Sequence, residues 1–277
     1  MKKNKYCNAA AIILIIILLP VSVFADIEIH YLDVGQGDCA IVLCDNEAMV
    51  IDGGPHDSSS FVYSYIKNTL KLRHIDYMIC THPHLDHVYG LSSVLNAAVV
   101  DLAMSPVLEW DSKSFSYMKK YAEKQGTPIV VPQEGDTFML GSALVTVLHC
   151  WPEAIDYGRT NDSSIVLRIE YGNRSFLFTG DAEDWSEYMM IDAGVNLKSD
   201  VLKVGHHGSD SSCTNEFLKQ VQPDYAIISV GKDNDYGHPG EHTINRLKQS
   251  GAEVFRTDIN GTVIVKSDGE SISVSVQ

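Results

Sequence analysis

A β-sandwich with helices packed on both outer faces is the fold class this sequence predicts, and three observations point to it. Short apolar runs of strand length, many rich in Val and Ile, recur from Ile27 to the C-terminus. They fall into two β-rich groups on either side of the loop WPEAIDYGRTND, with helical stretches between them. The chain has 277 residues, 45% hydrophobic and 21% charged, which is enough for one sizeable core.

The N-terminus reads differently from the rest. Lys2, Lys3 and Lys5 precede an apolar run of 11 residues, Ala9–Leu19, followed by Pro20 and by Val23-Phe24-Ala25. A positive start, an apolar centre and a small-residue exit make a secretory signal, cut after Ala25. The competing reading is an uncleaved membrane anchor, but a spanning helix needs about 20 apolar residues, and this run is shorter and broken by Pro20. Cleavage leaves residues 26–277 as one secreted domain with no stable membrane insertion.

From Ile27, IEIHYL, AIVL and AMVI read as strands, broken by the turn GQGD and ended by Asp52-Gly53-Gly54. Residues 58–72 are helical, IDYMIC is a strand, 88–96 a helix, 99–104 a strand and about 112–124 a helix. PIVV, DTFML and ALVTVLH form a further strand group. Beyond the central loop, SIVLRIE and RSFLFT pair across the hairpin turn Tyr171-Gly172-Asn173. DVLKV and YAIISV are strands, 241–250 is a helix, and VFRT and TVIVKS close the sheet.

Without residues 1–25 the chain carries 18 positive and 36 negative side chains, net −18. Such a surface repels polyanions at long range, and no basic stripe is visible, so charge does not support nonspecific nucleic-acid binding. Five cysteines remain: Cys39, Cys44, Cys80, Cys150 and Cys213. Export permits disulfides, but the number is odd, no CxxC pair occurs, and the apolar settings read as buried thiols.

The chemistry concentrates in THPHLDHVYG, residues 81–90. His82, His84, Asp86 and His87 crowd one strand-to-helix turn, and imidazole with carboxylate suits zinc, manganese or iron. Three more polar clusters follow apolar strands: FTGDAED with Asp181, KVGHHGS with His206 and His207, and DYGHPGEH with His238. A ligand delivered repeatedly at the C-terminal end of a strand describes one rim of a sandwich.

Taken together, THPHLDH, TGD, GHHGS and YGHP resemble the metallo-β-lactamase superfamily, and within it the ComEC class of DNA-uptake (competence) proteins. The resemblance runs from DVGQGD (Asp33–Asp38) through IDGG (Ile51–Gly54) to RTDINGTVIV, nearly all of the chain after residue 25. It implies an α+β, four-layer αββα sandwich with a dinuclear site for two divalent metal ions, zinc or manganese, at one edge. By this resemblance His82 and His84 hold the first metal, Asp86 and His87 the second, and Asp181 bridges both. His206 completes the second, with His207 nearby against substrate; which of these adjacent histidines binds stays open. Asn161 stands where many members place a His, which would weaken the first metal or favour manganese there.

The implied reaction is attack by hydroxide generated between the two cations. Asp86 and Asp181 orient it, His238 or His207 contacts a phosphate oxygen or protonates the leaving group, and Ser209 adds a hydrogen bond. The leading expectation is a secreted metal-dependent phosphodiesterase or nuclease, with DNA or a nucleotide as partner. Alternatives are a phosphorylcholine or cell-wall phosphodiester esterase, or a non-catalytic accessory module of DNA uptake. β-Lactam hydrolysis is disfavoured by the missing third His. Asp33, Gln36, Asp38 and Asp52 read as turn formers. His149 reads as a core or rim histidine, and His30, His56, His74 and His242 as surface or edge residues. Trp110, Trp151 and Trp185 read as packing residues, with base stacking the alternative.

Overall fold

The computed structural model describes residues 26–277, so the expected signal segment and its cleavage site lie outside the described residues. One sheet begins with β1 (Ile27–Tyr31), β2 (Ala40–Cys44), β3 (Glu47–Ile51), β4 (His74–Ile79), β5 (Val99–Met104) and β6 (Ile129–Val130). The second contains β7 (Thr137–Leu140), β8 (Ala143–His149), β9 (Val166–Tyr171), β10 (Arg174–Phe178), β11 (Val201–Lys203), β12 (Tyr225–Ile228) and β13 (Glu253–Arg256). The chain then returns to the first sheet as β14 (Val263–Ser267) and β15 (Ile272–Val276). The strand orders are β15-β14-β1-β2-β3-β4-β5-β6 and β13-β12-β11-β10-β9-β8-β7.

This return corrects the expected division into two successive β-rich halves. VFRT does close the second sheet, but TVIVKS crosses back and pairs antiparallel with β1, placing Val265 opposite Ile29. The first sheet is therefore completed by the end of the chain. Both sheets are mixed, with β3 to β6 and β10 to β13 running parallel.

Alternation along the strands sorts side chains into layers. Ile29, Tyr31, Val42 and Met49 point between the sheets, where they meet Val145, Leu167, Phe176 and Phe178. Tyr31 stacks on Phe178 with centroids 5.6 Å apart. Ile41, Val50 and Met78 point outward under α1 (Ser59–Ser64), α2 (Leu85–Val88), α3 (Leu91–Ala97) and α4 (Lys113–Gln125). Ser112 caps α4 by accepting from the Phe115 N–H, and Phe115, Met118 and Ala122 form its buried stripe. Leu177, Leu202 and Ile228 face the other side, under α5 (Asp184–Asp192), α6 (Asn215–Val221) and α7 (Glu241–Ser250). A short α8 (Thr257–Asn260) follows β13. Each fully buried aliphatic or aromatic side chain contributes about 1.5–3 kcal/mol, so three apolar seams fix the four layers. The five cysteines are free and buried, as their apolar settings implied. Among the described residues no helix is long and apolar enough to cross a membrane.

Candidate metal centre

Each polar cluster follows the C-terminal end of a strand. β4 stops at Ile79 and the chain enters α2 through Thr81–His84; β10 ends just before Asp181, β11 just before His206 and His207, and β12 ahead of the loop bearing His238. Because Phe178 lies opposite Lys203, and Lys203 opposite Ile227, the three parallel strands release their loops side by side. The resulting cleft, about 350 Å³, is lined by Gln36, His84, Leu85, Asp86, Asn161, Asp181, His206, His207, Tyr236 and His238.

Asp86, His87, Asp181 and His207 bring four ligand-type atoms within 4.8 Å of one another. Asp181 Oδ2 is 3.3 Å from His87 Nε2 and 3.5 Å from His207 Nε2, while Asp86 Oδ2 is 3.1 Å from His207 Nε2. On the other side, His82 Nε2 faces His84 Nδ1 at 3.0 Å and Asp181 Oδ2 at 3.7 Å. Asp181 thus stands between two groups of imidazoles.

Of the two adjacent histidines that the sequence leaves open, His207 is the one that joins Asp86, His87 and Asp181. Both sit in the left-handed region, His206 at φ 46° and His207 at φ 52°, a conformation costing about 1–3 kcal/mol per non-glycine residue. The turn sends His207 inward, where it is 2% exposed, and leaves His206 at the rim. There His206 Nδ1 meets Glu183 Oε1 at 3.0 Å, and its Nε2 is 4.0 Å from Asp181.

Residues read from sequence as turn formers support this arrangement. Asp52, wholly buried, accepts from His87 Nδ1 at 2.8 Å, from the Thr81 N–H at 2.8 Å and from the Thr81 hydroxyl at 2.7 Å. It reaches His87 because Gly53 and Gly90 cross in backbone contact; a Cβ on Gly90 would lie 1.8 Å from the Gly53 carbonyl oxygen. Asp38 Oδ1 lies 3.2 Å from His207 Nδ1, which also contacts the Ser229 carbonyl at 3.0 Å. The other Asp38 oxygen pairs with the buried Lys203 at 2.6 Å. Gly37 permits the approach, since a Cβ there would lie 2.4 Å from the Asp86 carbonyl oxygen. Sequence reasoning passed over Lys203; a lone charge inside the apolar run VLKV was its available signal.

The electrostatics divide the site. Burial opposes a charge on His87, yet Asp181, Asp52 and Asp86 raise its proton affinity well above the usual histidine range. Against the same burial, Asp181 and Asp38 push His207 up to about 10. His82 goes the other way, well below its ordinary value, through burial and the neighbouring His87. Burial also lowers His84. In the metal-free protein the carboxylates draw positive charge into the first group, the place a cation would take, while the second keeps its imidazoles neutral.

These residues fit divalent ions. His87 Nε2, Asp181 Oδ1 and Asn161 Oδ1 are buried without hydrogen-bond partners, and a bound cation satisfies such atoms. Nitrogen donors 3.0 Å apart, as in His82 and His84, suit one ion at bonds of about 2.0–2.1 Å.

Asn161 Nδ2 donates to Glu183 Oε1 at 3.2 Å and lies 3.4 Å from the His206 ring. His238, its Nδ1 buried and unpaired, is lowered to about 4 by burial and by His206 and His207. Its ring is therefore neutral at pH 7, a hydrogen-bond partner rather than a proton store. Ser209 bonds to Ser211 at 2.9 Å and shapes the turn behind the cleft. His149 is buried against Glu134 and the Asp162 carbonyl. His30, expected at a surface or edge, is buried against the Tyr65 hydroxyl. Trp151 and Trp185 stack on each other beside Arg159, and Trp110 packs in the α1–α4 layer.

Comparison with known proteins agrees with this architecture. The chain is 32% identical over 253 residues to ComE operon protein 3 of Bacillus subtilis, covering 85% of this chain and 32% of that one. It is 28% identical to competence protein ComA of Neisseria gonorrhoeae, with coverage of 83% and 31%. It therefore spans about a third of the length of these relatives. Among solved structures, the metallo-beta-lactamase fold protein YhfI of Bacillus subtilis matches with a TM-score of 0.59 and 13% identity, over 88% of this chain and 100% of that one. CmlA, a diiron β-hydroxylase from Streptomyces venezuelae, matches with a TM-score of 0.56 and 18% identity, over 83% and 52%. The model of the metallo-beta-lactamase superfamily matches residues 32–232, and with the αββα layering and strand-end clusters already in place the chain belongs to that superfamily.

Proposed function

We propose that this protein is an exported, metal-dependent phosphodiesterase acting on nucleic-acid or nucleotide diesters. The observation that carries the reading is the convergence of Asp86, His87, Asp181 and His207 on one another, beside His82 and His84 and at the floor of an open cleft. Similarity to competence proteins supports the phosphodiester class. Export is inferred from the N-terminal sequence.

Asp86, His87, Asp181 and His207 would hold one ion, and His82, His84 and Asp181 the other, with the unpartnered Asn161 Oδ1 in the same cleft as a further candidate. Two divalent cations there would lower the pKa of bound water and offset charge building on an attacked phosphorus. The chain's own residues supply the rest. Asp52 holds the His87 ring with Nε2 toward the cleft, and the Ser229 carbonyl, with the Asp38 carboxylate 3.2 Å away, does the same for His207. Glu183 fixes His206 at the rim, where it and His238 present nitrogens to a phosphate oxygen or a leaving group. The inter-sheet core closes the floor beneath them and keeps bulk water to the open side.

Protein loaded with manganese or zinc should cleave bis(p-nitrophenyl) phosphate and plasmid DNA. A chelator should abolish both activities, and Asp86→Ala or Asp181→Ala should lower them at least about a hundredfold. Equal turnover by these variants and the parent would overturn the assignment.

A further inference from the structure

We propose that Tyr236 is a stacking platform for a nucleobase, so that the cleft takes a nucleoside phosphodiester with its base at the rim. This rests on the diesterase reading and names its substrate class. Two large side chains lining the cleft stay mostly in solvent: Tyr236, 72% exposed, and Leu85, 59% exposed, the latter between His84 and Asp86. A lone exposed tyrosine needs no explanation, but this one is held in place beside the polar floor. Asn234 locks its loop: Nδ2 donates to the Gly231 carbonyl at 2.9 Å and the His238 carbonyl at 2.6 Å. Its Oδ1 accepts from the Tyr236 and His238 N–H groups, both at 3.1 Å. The Tyr236 ring lies 5.8 Å from that of His238 at 25°, so one braced loop presents an imidazole to the floor and a phenol at the mouth.

A phosphodiester centred near Asp86, Asp181 and His238 must carry its organic substituent toward that mouth. A flat aromatic face there stacks on any base, whatever the sequence. The interaction needs no positive charge, which suits a chain of net charge −15. A quaternary ammonium group is recognised by a cage of several rings, whereas Tyr236 is the single Phe, Tyr or Trp among the lining residues. Because the loop is already ordered, little conformational freedom is lost when a base arrives.

The test compares deoxyadenosine monophosphate with deoxyribose phosphate, which share the phosphate and differ in the base, by calorimetric titration of the manganese-loaded protein. The parent should prefer the nucleotide by about 10- to 100-fold. Tyr236→Leu should erase the preference and Tyr236→Trp should keep it. Emission from 2-aminopurine deoxyriboside monophosphate should be quenched on binding to the parent and not to Tyr236→Leu. Equal binding of both ligands by the parent, or a preference that survives in Tyr236→Leu, overturns the inference. So does Tyr236-dependent binding of phosphocholine tighter than that of the nucleotide. Cleavage of bis(p-nitrophenyl) phosphate that is lost in Asp86→Ala, without any base preference, would sink the stacking role alone; absence of that cleavage would sink the diesterase reading.

Discussion

The two sides of the cleft use the same residue types and brace them differently. On the Asp86–His87–His207 side each imidazole has a carboxylate behind it, Asp52 for His87 and Asp38 for His207, and Asp38 is itself anchored by Lys203. On the His82–His84 side no carboxylate stands directly behind a ring, and His82 Nδ1 is backed by hydroxyls, Thr81 at 3.2 Å and Ser164 at 3.4 Å. The carboxamide of Asn161, proposed as the third position there, is held by Glu183. Carboxylate backing raises ligand basicity and fixes ring orientation, whereas a hydroxyl fixes orientation alone. The contrast therefore sets an order of affinity: the braced side should bind its ion more tightly and be the more easily damaged from behind.

The largest effect should come from Lys203→Met, which takes from buried Asp38 its lysine partner and leaves only His207 beside it. Removing one partner of a buried pair costs about 3–5 kcal/mol, to be read by denaturant unfolding of the metal-free protein. Pairing it with Asp38→Asn removes the stranded charge and should recover much of that loss. A cost below about 1 kcal/mol, the range of an exposed pair, would mean that Lys203 does not anchor the braced side.

Asp52→Asn should come next. It keeps the shape of the side chain while weakening its hold on His87 Nδ1 and the Thr81 donors. Changes of this kind typically cost 10- to 100-fold in metal affinity, about 1.4–2.7 kcal/mol. Competition titration should show the tighter ion weakened most, with a smaller loss at the looser one because the Thr81 hydroxyl links Asp52 to His82; the reverse order would break the comparison.

The ligand-bearing loops were legible because each motif is contiguous and follows an apolar run, so local pattern carried the information. The bracing was not. An Asp before Gly-Gly is what many turns require, and nothing nearby in sequence says that Asp52 meets His87, 35 residues on. Lys203 is one polar residue in the apolar run VLKV, and only its place between β10 and β12 buries it. The same limit applies to the fold. Strand alternation located β1 to β14 to within a few residues. By contrast α5 was missed because Ser186 and Glu187 share its buried face with Met190, leaving no apolar stripe. Helix α6 has seven residues, and β15 is a partly exposed edge strand, so neither carried a strong period. Which of His206 and His207 turns inward depends on two consecutive left-handed residues, which side-chain chemistry does not announce.

The smallest predicted effect sharpens the comparison from the open side. Asn161→His would put an imidazole where Oδ1 is buried without a partner, close to His206 and Glu183. A neutral imidazole suits zinc better than a carboxamide oxygen does, whereas manganese is content with oxygen. Zinc affinity at the looser position should therefore rise by about tenfold, roughly 1.4 kcal/mol, with little change for manganese and none at the braced position. If the tighter ion responded instead, Asn161 would belong to the other group, and the asymmetry between the two sides would have to come from burial rather than from what stands behind each ring.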